Sequence, residues 1–309
     1  MAPYQDYPKY RSRFVSEFGM ASPAGHAAIE EFAAPEERYP ESRTFDHHLK
    51  AAGGQRRIAS YLADNLRHPT DLDGYVFSTQ LVQSEALAAG VRGWRREWRG
   101  PGSYGCSGAL VWQLNDCWPV TSWAVVDYRL HPKPAYHVLK RDFQLVTIGM
   151  AATEGGVAVW AVNGTGAPLT AILHRAGWTL RGEQRNVEER EITLLPYRAT
   201  ELGTFTVPDG EPTIVAGRLL LDGAVTSRAS WWPEPYKYLD FPDPELAIER
   251  TSPDLLTVRV QRPAKGVVHT ASNDARFSDN ALDLFPDDAQ QIVVRDLGDG
   301  AVSATWLRG

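Results

Sequence analysis

The chain has 309 residues, 43% of them hydrophobic and 23% charged, a globular composition whose length suits two or three domains. A net charge of −6 gives no basic footprint, which argues against nucleic acid or an anionic membrane surface as a partner. No stretch approaches the roughly 20 apolar residues needed to cross a bilayer, so the chain is expected to be soluble.

Residues 1–10, MAPYQDYPKY, lack the apolar core of a secretory signal. Two textures then meet near residue 150. Before it, Arg13 to Phe18 forms a short apolar run, and Gln55 to Arg67 has a helical pattern that stops before Pro69. A longer helix follows, with Thr70 as its N-cap and Asp73 three residues on. Tyr75, Thr79, Val82, Ala86 and Ala89 recur at steps of four and three, which predicts one buried face. Gly108 to Asn115, GALVWQLN, has the length and composition of a fully buried parallel strand. The order strand, helices, strand is the texture of an α/β barrel or a doubly wound sheet, although two strands complete neither. Cys106 and Cys117 bracket the second strand. At about 3.3 Å per residue they lie beyond disulfide reach, so free thiols are expected, which suits a reducing compartment.

After residue 150 the chain reads as short strands divided by Gly, Pro and Asp turns: Val157 to Val162, Leu169 to His174, Glu191 to Leu195 and Thr213 to Leu221. Asp222-Gly223 is a hairpin signal leading into Ala224 to Trp231. Trp232-Pro233-Glu234-Pro235, with Pro242 and Pro244, reads as a linker. Beyond it, Leu255 to Gln261, Gly266 to Thr270, Gln290 to Asp296 and Ala301 to Leu307 form a second strand set. The spacing predicts two immunoglobulin-like β-sandwiches of roughly 75 to 85 residues each.

Chemistry concentrates at Ser16-Glu17-Phe18-Gly19 and between Trp112 and Asp127. A glutamate at the C-terminal end of a barrel strand points into the face where such barrels place their active sites; taken alone, it reads rather as an ordinary strand-end carboxylate. The second segment brings Trp112, Trp118 and Trp123 together with Gln113 and Asn115. Indole rings bury the apolar face of a sugar, and amides match hydroxyls as both donors and acceptors. Trp112 is assigned to a pocket, and Trp123 to packing at the junction of barrel and sandwich. No His, Cys or carboxylate cluster has ligand spacing, and the pair His47-His48 reads as solvated, so no metal site is expected.

The blocks Tyr4 to Lys9, Arg13 to Met20, Gly108 to Trp123, Arg129 to Tyr136, Trp232 to Lys237 and Arg276 to Leu284 run through nearly the whole chain in order. In them the chain resembles glycoside hydrolase family 2, and within it the β-mannosidases, especially a fungal-type group. The resemblance implies a C-terminal fragment: residues 1–148 as the last part of a (β/α)8 barrel, 149–235 as an immunoglobulin-like β-sandwich and 236–309 as a C-terminal β-sandwich. It makes Glu17 the catalytic nucleophile on barrel strand seven and Trp112, on strand eight, the floor of the mannose subsite. Asn115 and Trp118 fall on its rim. The activity it implies is removal of terminal non-reducing β-D-mannose from oligosaccharides, including N-glycan-derived substrates, and a glycosidase of this type needs no cofactor.

A retaining glycosidase needs a second carboxyl group about 5 Å from the nucleophile. In the family, that acid/base follows an asparagine at the end of strand four. This chain enters at strand seven, and Glu30, Glu31, Glu36 and Glu37 match no catalytic position. The acid/base is therefore expected outside the chain, with Met1 not the ancestral start, the isolated chain inactive, and the missing N-terminal part of the enzyme a partner. Two barrel strands leave open edges, so residues 1 to about 145 are expected to fold poorly alone while the sandwiches fold well. Cytoplasmic residence is favoured over secretion. Two alternatives stand: a non-catalytic β-sandwich module binding carbohydrate or protein, and an exo-β-glucosaminidase of the same family.

Overall fold

The computed structural model describes residues 2–103, 105–208 and 210–309. Met1, on which the reading of the chain's start falls, lies outside the described residues. The chain is mostly β-sheet with a few helices and divides into two compact units. The first runs to Leu145 and adds Pro196–Ala199 and Pro235–Lys237; the second holds Val146–Leu195, Thr200–Glu234 and Tyr238–Gly309.

In the first unit a 3-10 helix (Tyr4–Lys9) precedes strand β1 (Val15–Phe18), helices α1 (His26–Phe32), α2 (Arg43–His47), α3 (Gly54–Asn65) and α4 (Leu72–Arg96), strand β2 (Ala109–Val111) and helix α5 (Pro134–Asp142). β1 and β2 are parallel, with Val15 opposite Ala109 and Phe18 opposite Val111. A parallel pair needs a crossover, which the helices supply. The core joins Phe18, Leu87, Val91, Trp94, Cys106, Val125, Ala135 and Leu139, with the Phe18 and Trp94 rings edge to face at 4.6 Å.

Two expectations need correction here. The α4 cap is Asp71, whose carboxylate accepts from Gly74 N at 2.7 Å, not Thr70. The helix is also buried nearly all round, Ala89 being only partly so. Its polar residues tolerate this because they bond to backbone carbonyls: Thr79 Oγ1 to Tyr75 O at 2.7 Å, Ser84 Oγ to Gln80 O at 2.8 Å, and Gln80 Nε2 to Pro23 O at 3.0 Å.

β2 is likewise three residues long rather than eight, and it is not buried. Leu110 is 55% exposed and Leu114 65%. It pairs only with β1 among the described residues. Past Val111 the chain leaves the sheet and bonds to a later segment, Gln113 N to Trp123 O at 3.3 Å and Val126 N to Leu114 O at 2.9 Å.

The second unit begins with β3 (Val146–Thr153), β4 (Gly156–Asn163), β5 (Leu169–Thr179), β6 (Gln184–Leu194), β7 (Arg198–Phe205), β8 (Thr213–Leu221) and β9 (Ala224–Trp231). Sheets β3-β4-β7 and β6-β5-β8-β9 close on one core built from Ile148, Val159, Leu173, Leu194, Phe205, Val215 and Leu219. Asp222 and Gly223, both at positive φ, turn β8 into β9 as their sequence requires. Then come β10 (Ala247–Ser252), β11 (Leu255–Arg259), β12 (Ala264–Ala271), β13 (Arg276–Phe277), β14 (Leu282–Leu284), β15 (Gln290–Arg295) and β16 (Val302–Thr305). Sheets β10-β11-β15-β13 and β14-β12-β16 share a second core around Leu256, Val258, Val267, Leu284, Ile292 and Val294.

The proline-rich stretch is not a free linker. Trp232 is buried, its Nε1 donating to Asp283 Oδ2 at 3.0 Å. Tyr236 and Lys237 belong to the first unit, where Tyr236 Oη donates to Glu85 at 2.8 Å and Lys237 Nζ to Ala63 O at 2.7 Å. Cys106 and Cys117 are both free thiols. Among the described residues no helix is long and apolar enough to cross a membrane.

Candidate active site

The site is set by the backbone of the parallel pair. Gly108 O accepts from Val15 N at 2.9 Å and Phe18 O accepts from Trp112 N at 2.8 Å, which brings Glu17 and Trp112 to the same end of neighbouring strands. Phe18 turns into the core, so Glu17, one residue earlier, projects from the opposite face. Glu17 is exposed, and its carboxylate has no hydrogen-bond or ion-pair partner among the described residues. Trp112 is 51% exposed. Behind them, Tyr7 Oη donates to Gly19 O at 3.0 Å; burial pushes that phenol up to about 12, which keeps it a donor.

Asn115 is exposed, and its Nδ2 donates to the neighbouring Asp116 carbonyl at 3.1 Å. Trp118 is half-buried in a stack: its ring lies 4.8 Å from His48, which lies 4.1 Å from Phe32, and Lys50 Nζ stands 5.0 Å from the Trp118 centroid. His48 Nδ1 also meets Pro119 O at 2.5 Å. The expectation of a solvated histidine pair therefore fails for His48, because its ring is held on both counts. Trp123 is half-buried with its indole beside Gly19, and its carbonyl accepts from Gln83 Nε2 at 3.2 Å.

The other carboxylates near Glu17 in sequence are mostly engaged. Glu30 pairs with Arg38 at 2.8 Å and Glu31 with Arg129 at 3.0 Å, while Glu37 accepts from Thr44 N at 3.3 Å. Among the described residues, no group of three or more His, Cys, Asp or Glu is placed to hold a metal ion.

Sequence reasoning missed a buried polar hub behind the two strand ends. Gln83, fully buried on α4, donates to Met20 O at 2.8 Å and to Trp123 O and Ala124 O, both at 3.2 Å. Ser22 donates to Gln83 Oε1 at 2.8 Å, and Lys133 Nζ donates to Ser22 O at 2.9 Å. Asp116 accepts from Ser122 Oγ at 2.7 Å and Gln113 Nε2 at 3.2 Å; Asp127 accepts from the backbone of Arg129 and His131. Burial lowers the Lys133 ammonium to about 8 against the opposing pull of Asp116 and Asp127, and it raises Asp116. The available signal was polar side chains inside an otherwise apolar helix, and a lysine before the apolar run of α5.

Comparisons with known proteins agree along the chain. Residues 155–238 match the Mannosidase Ig/CBM-like domain. Beta-mannosidase B of Aspergillus niger is 38% identical over 325 residues, covering 95% of this chain and 38% of that protein. The Emericella nidulans protein of the same name is 36% identical over 95% of this chain and 37% of its own length. The crystal structure of the β-D-mannosidase from Dictyoglomus thermophilum superposes on 99% of this chain and 39% of that one, with a TM-score of 0.89 at 26% identity. An exo-chitosanase of Amycolatopsis orientalis shares the fold at a TM-score of 0.80 and 15% identity, over 99% of this chain and 44% of that one. The chain thus spans about two-fifths of the length of the curated relatives it matches. By likeness carried along nearly all of its own length, it resembles the β-mannosidases of glycoside hydrolase family 2.

Proposed function

We propose that this chain is the nucleophile-bearing portion of a retaining β-mannosidase that releases terminal non-reducing β-D-mannose from oligosaccharides. The observation that carries the reading is an exposed Glu17, without a partner among the described residues, beside an exposed Trp112 at the same end of two parallel strands. In this reading β1 and β2 are the last two strands of an eight-stranded barrel, and the sheets that follow form two sandwiches. Glu17 attacks the anomeric carbon to give a mannosyl-enzyme ester, and the leaving oxygen takes a proton from a second carboxyl group. Trp112 supports the apolar face of the mannose. Asn115 meets a hydroxyl through its side-chain amide, and Trp118 borders the entrance from its stack on His48.

The second carboxyl group and the remaining barrel strands come from polypeptide outside these residues. Two features support this. The larger part of each relative lies outside the match, and Phe14, Leu110 and Leu114 are 52%, 55% and 65% exposed around a pair of strands that needs neighbours.

The test is hydrolysis of nitrophenyl β-mannoside and β-glucosaminide by the chain alone and by the complete reading frame that contains it. Mannoside turnover is expected from the complete frame only, falling about a thousandfold or more in Glu17→Ala. Turnover indifferent to that substitution, or preference for the glucosaminide, overturns the reading.

A further inference from the structure

We infer that Lys133 is a positioning residue for this site: its buried ammonium, bonded to Ser22, holds the segment leaving Glu17 against the segment leaving Trp112. The inference rests on the assignment of Glu17 and Trp112 made above.

Lys133 is 3% exposed, and Nζ donates to Ser22 O at 2.9 Å and meets Ser22 Oγ at 3.4 Å. Ser22 lies in the segment that continues from Glu17 and is itself fully buried. It exchanges backbone bonds with Ser122, N to O at 2.9 Å and O from N at 3.2 Å. Ser122 then bonds Asp116, and Asp116 bonds Gln113, the neighbour of Trp112. An unbroken run of hydrogen bonds therefore links the two arms, with Lys133 as its cation.

The charge is what makes the contact unusual. A buried ammonium disfavours the folded chain at neutral pH relative to a neutral residue of equal volume, so packing alone does not account for it. Charge-assisted donation to Ser22 and balance of two buried carboxylates do. The charged groups acting on Lys133 are Asp116 and Asp127, both on the segment after β2; α4 and the arm from β1 present neutral Gln83 and Ser22. His131 stands 3.8 Å from the Asp127 carboxylate. Loss of the Lys133 proton, near pH 8, leaves an amine that still donates but no longer offsets the aspartates.

The test uses Lys133→Met and Lys133→Arg in the full chain, by amide hydrogen exchange at pH 7, and in the complete reading frame, by the pH dependence of kcat. Residues 19–24 and 120–127 are expected to lose protection about tenfold or more in the Met variant while α3 is unchanged, and to keep it in the Arg variant. Turnover is expected to fall above pH 8 in the parent. Because arginine stays charged, the Arg variant should hold kcat through pH 9 with KM unchanged. Unchanged protection in the Met variant, uniform loss across the first unit, or identical alkaline limbs in parent and Arg variant overturns the inference. Absence of mannoside turnover in the parent overturns the proposed function, and hydrogen exchange then decides the role of Lys133 by itself.

Discussion

Gly19 and Trp112 are packed so closely that a Cβ on Gly19 would overlap the Trp112 carbonyl oxygen and press within 3.1 Å of the Trp123 ring. The strand carrying Glu17 and the strand carrying Trp112 thus approach through bare backbone. Gly19→Ala must push them apart, and overpacking of this kind costs about 1–3 kcal/mol. Denaturant unfolding of the first unit should show that loss. A midpoint equal to the parent's would mean that the two arms yield freely.

Trp112 is a surface ring in this chain, so its removal should spare the fold. Trp112→Ala is expected to change stability by less than about 1 kcal/mol while weakening mannobiose at least about tenfold in the complete reading frame. Calorimetric titration measures the second quantity. Equal affinity in parent and variant would remove Trp112 from the subsite.

Leu110 on β2 and Leu114 just past its end offer exposed apolar surface. The chain by itself should self-associate with rising concentration, and Leu110→Glu with Leu114→Glu should shift it toward monomer in sedimentation velocity. Limited proteolysis should cut residues 1–145 before the second unit. A concentration-independent monomer with equal resistance in both units would contradict this.

His269 sets an acid limit on the second unit. It is 2% exposed, with Nδ1 3.2 Å from Asn280 Oδ1, and burial holds it below the usual 6.5. His174, half-buried and 3.1 Å from an Arg218 nitrogen, is shifted the same way by burial and by that guanidinium. With the folded pKa depressed, the unfolded chain binds more protons just below pH 6.5. Stability is therefore full above that value and declines as pH falls through the window. Thermal midpoints between pH 4.5 and 7.5 should drop on the acid side, less steeply in His269→Gln. Parallel curves for parent and variant would exclude His269 as a source.

How much of this was legible beforehand varied with what each residue faces. β8 and β9 emerged with their bounds intact because Asp222-Gly223 marks the turn and the flanking residues are apolar. β7 did not, since Arg198, Thr200, Glu201 and Gly203 break its alternation. β2 was overread: an apolar run looks the same whether its side chains meet a core or, like Leu110 and Leu114, stand open. Glu17 and Trp112 stood out through their motifs. The hub behind them did not, because Ser22, Gln83 and Lys133 are ordinary residues one by one, and Lys133 meets Ser22 across 111 positions of sequence. Only the fold supplies that meeting.

The burial of Trp232 bears on cooperativity. Asp283 on β14 accepts from Trp232 Nε1, from Ser230 on β9 at 2.5 Å and from Gly266 N on β12 at 2.8 Å. Arg218 on β8 and Arg228 on β9 reach Asp287 and Asp288 at 2.8 and 2.6 Å. The two sheet pairs of the second unit are therefore joined by hydrogen bonds and ion pairs of half-buried and exposed charged side chains rather than by slack chain. Heating should melt them together, as one calorimetric transition with equal van't Hoff and calorimetric enthalpies, where two independently hinged modules would give two.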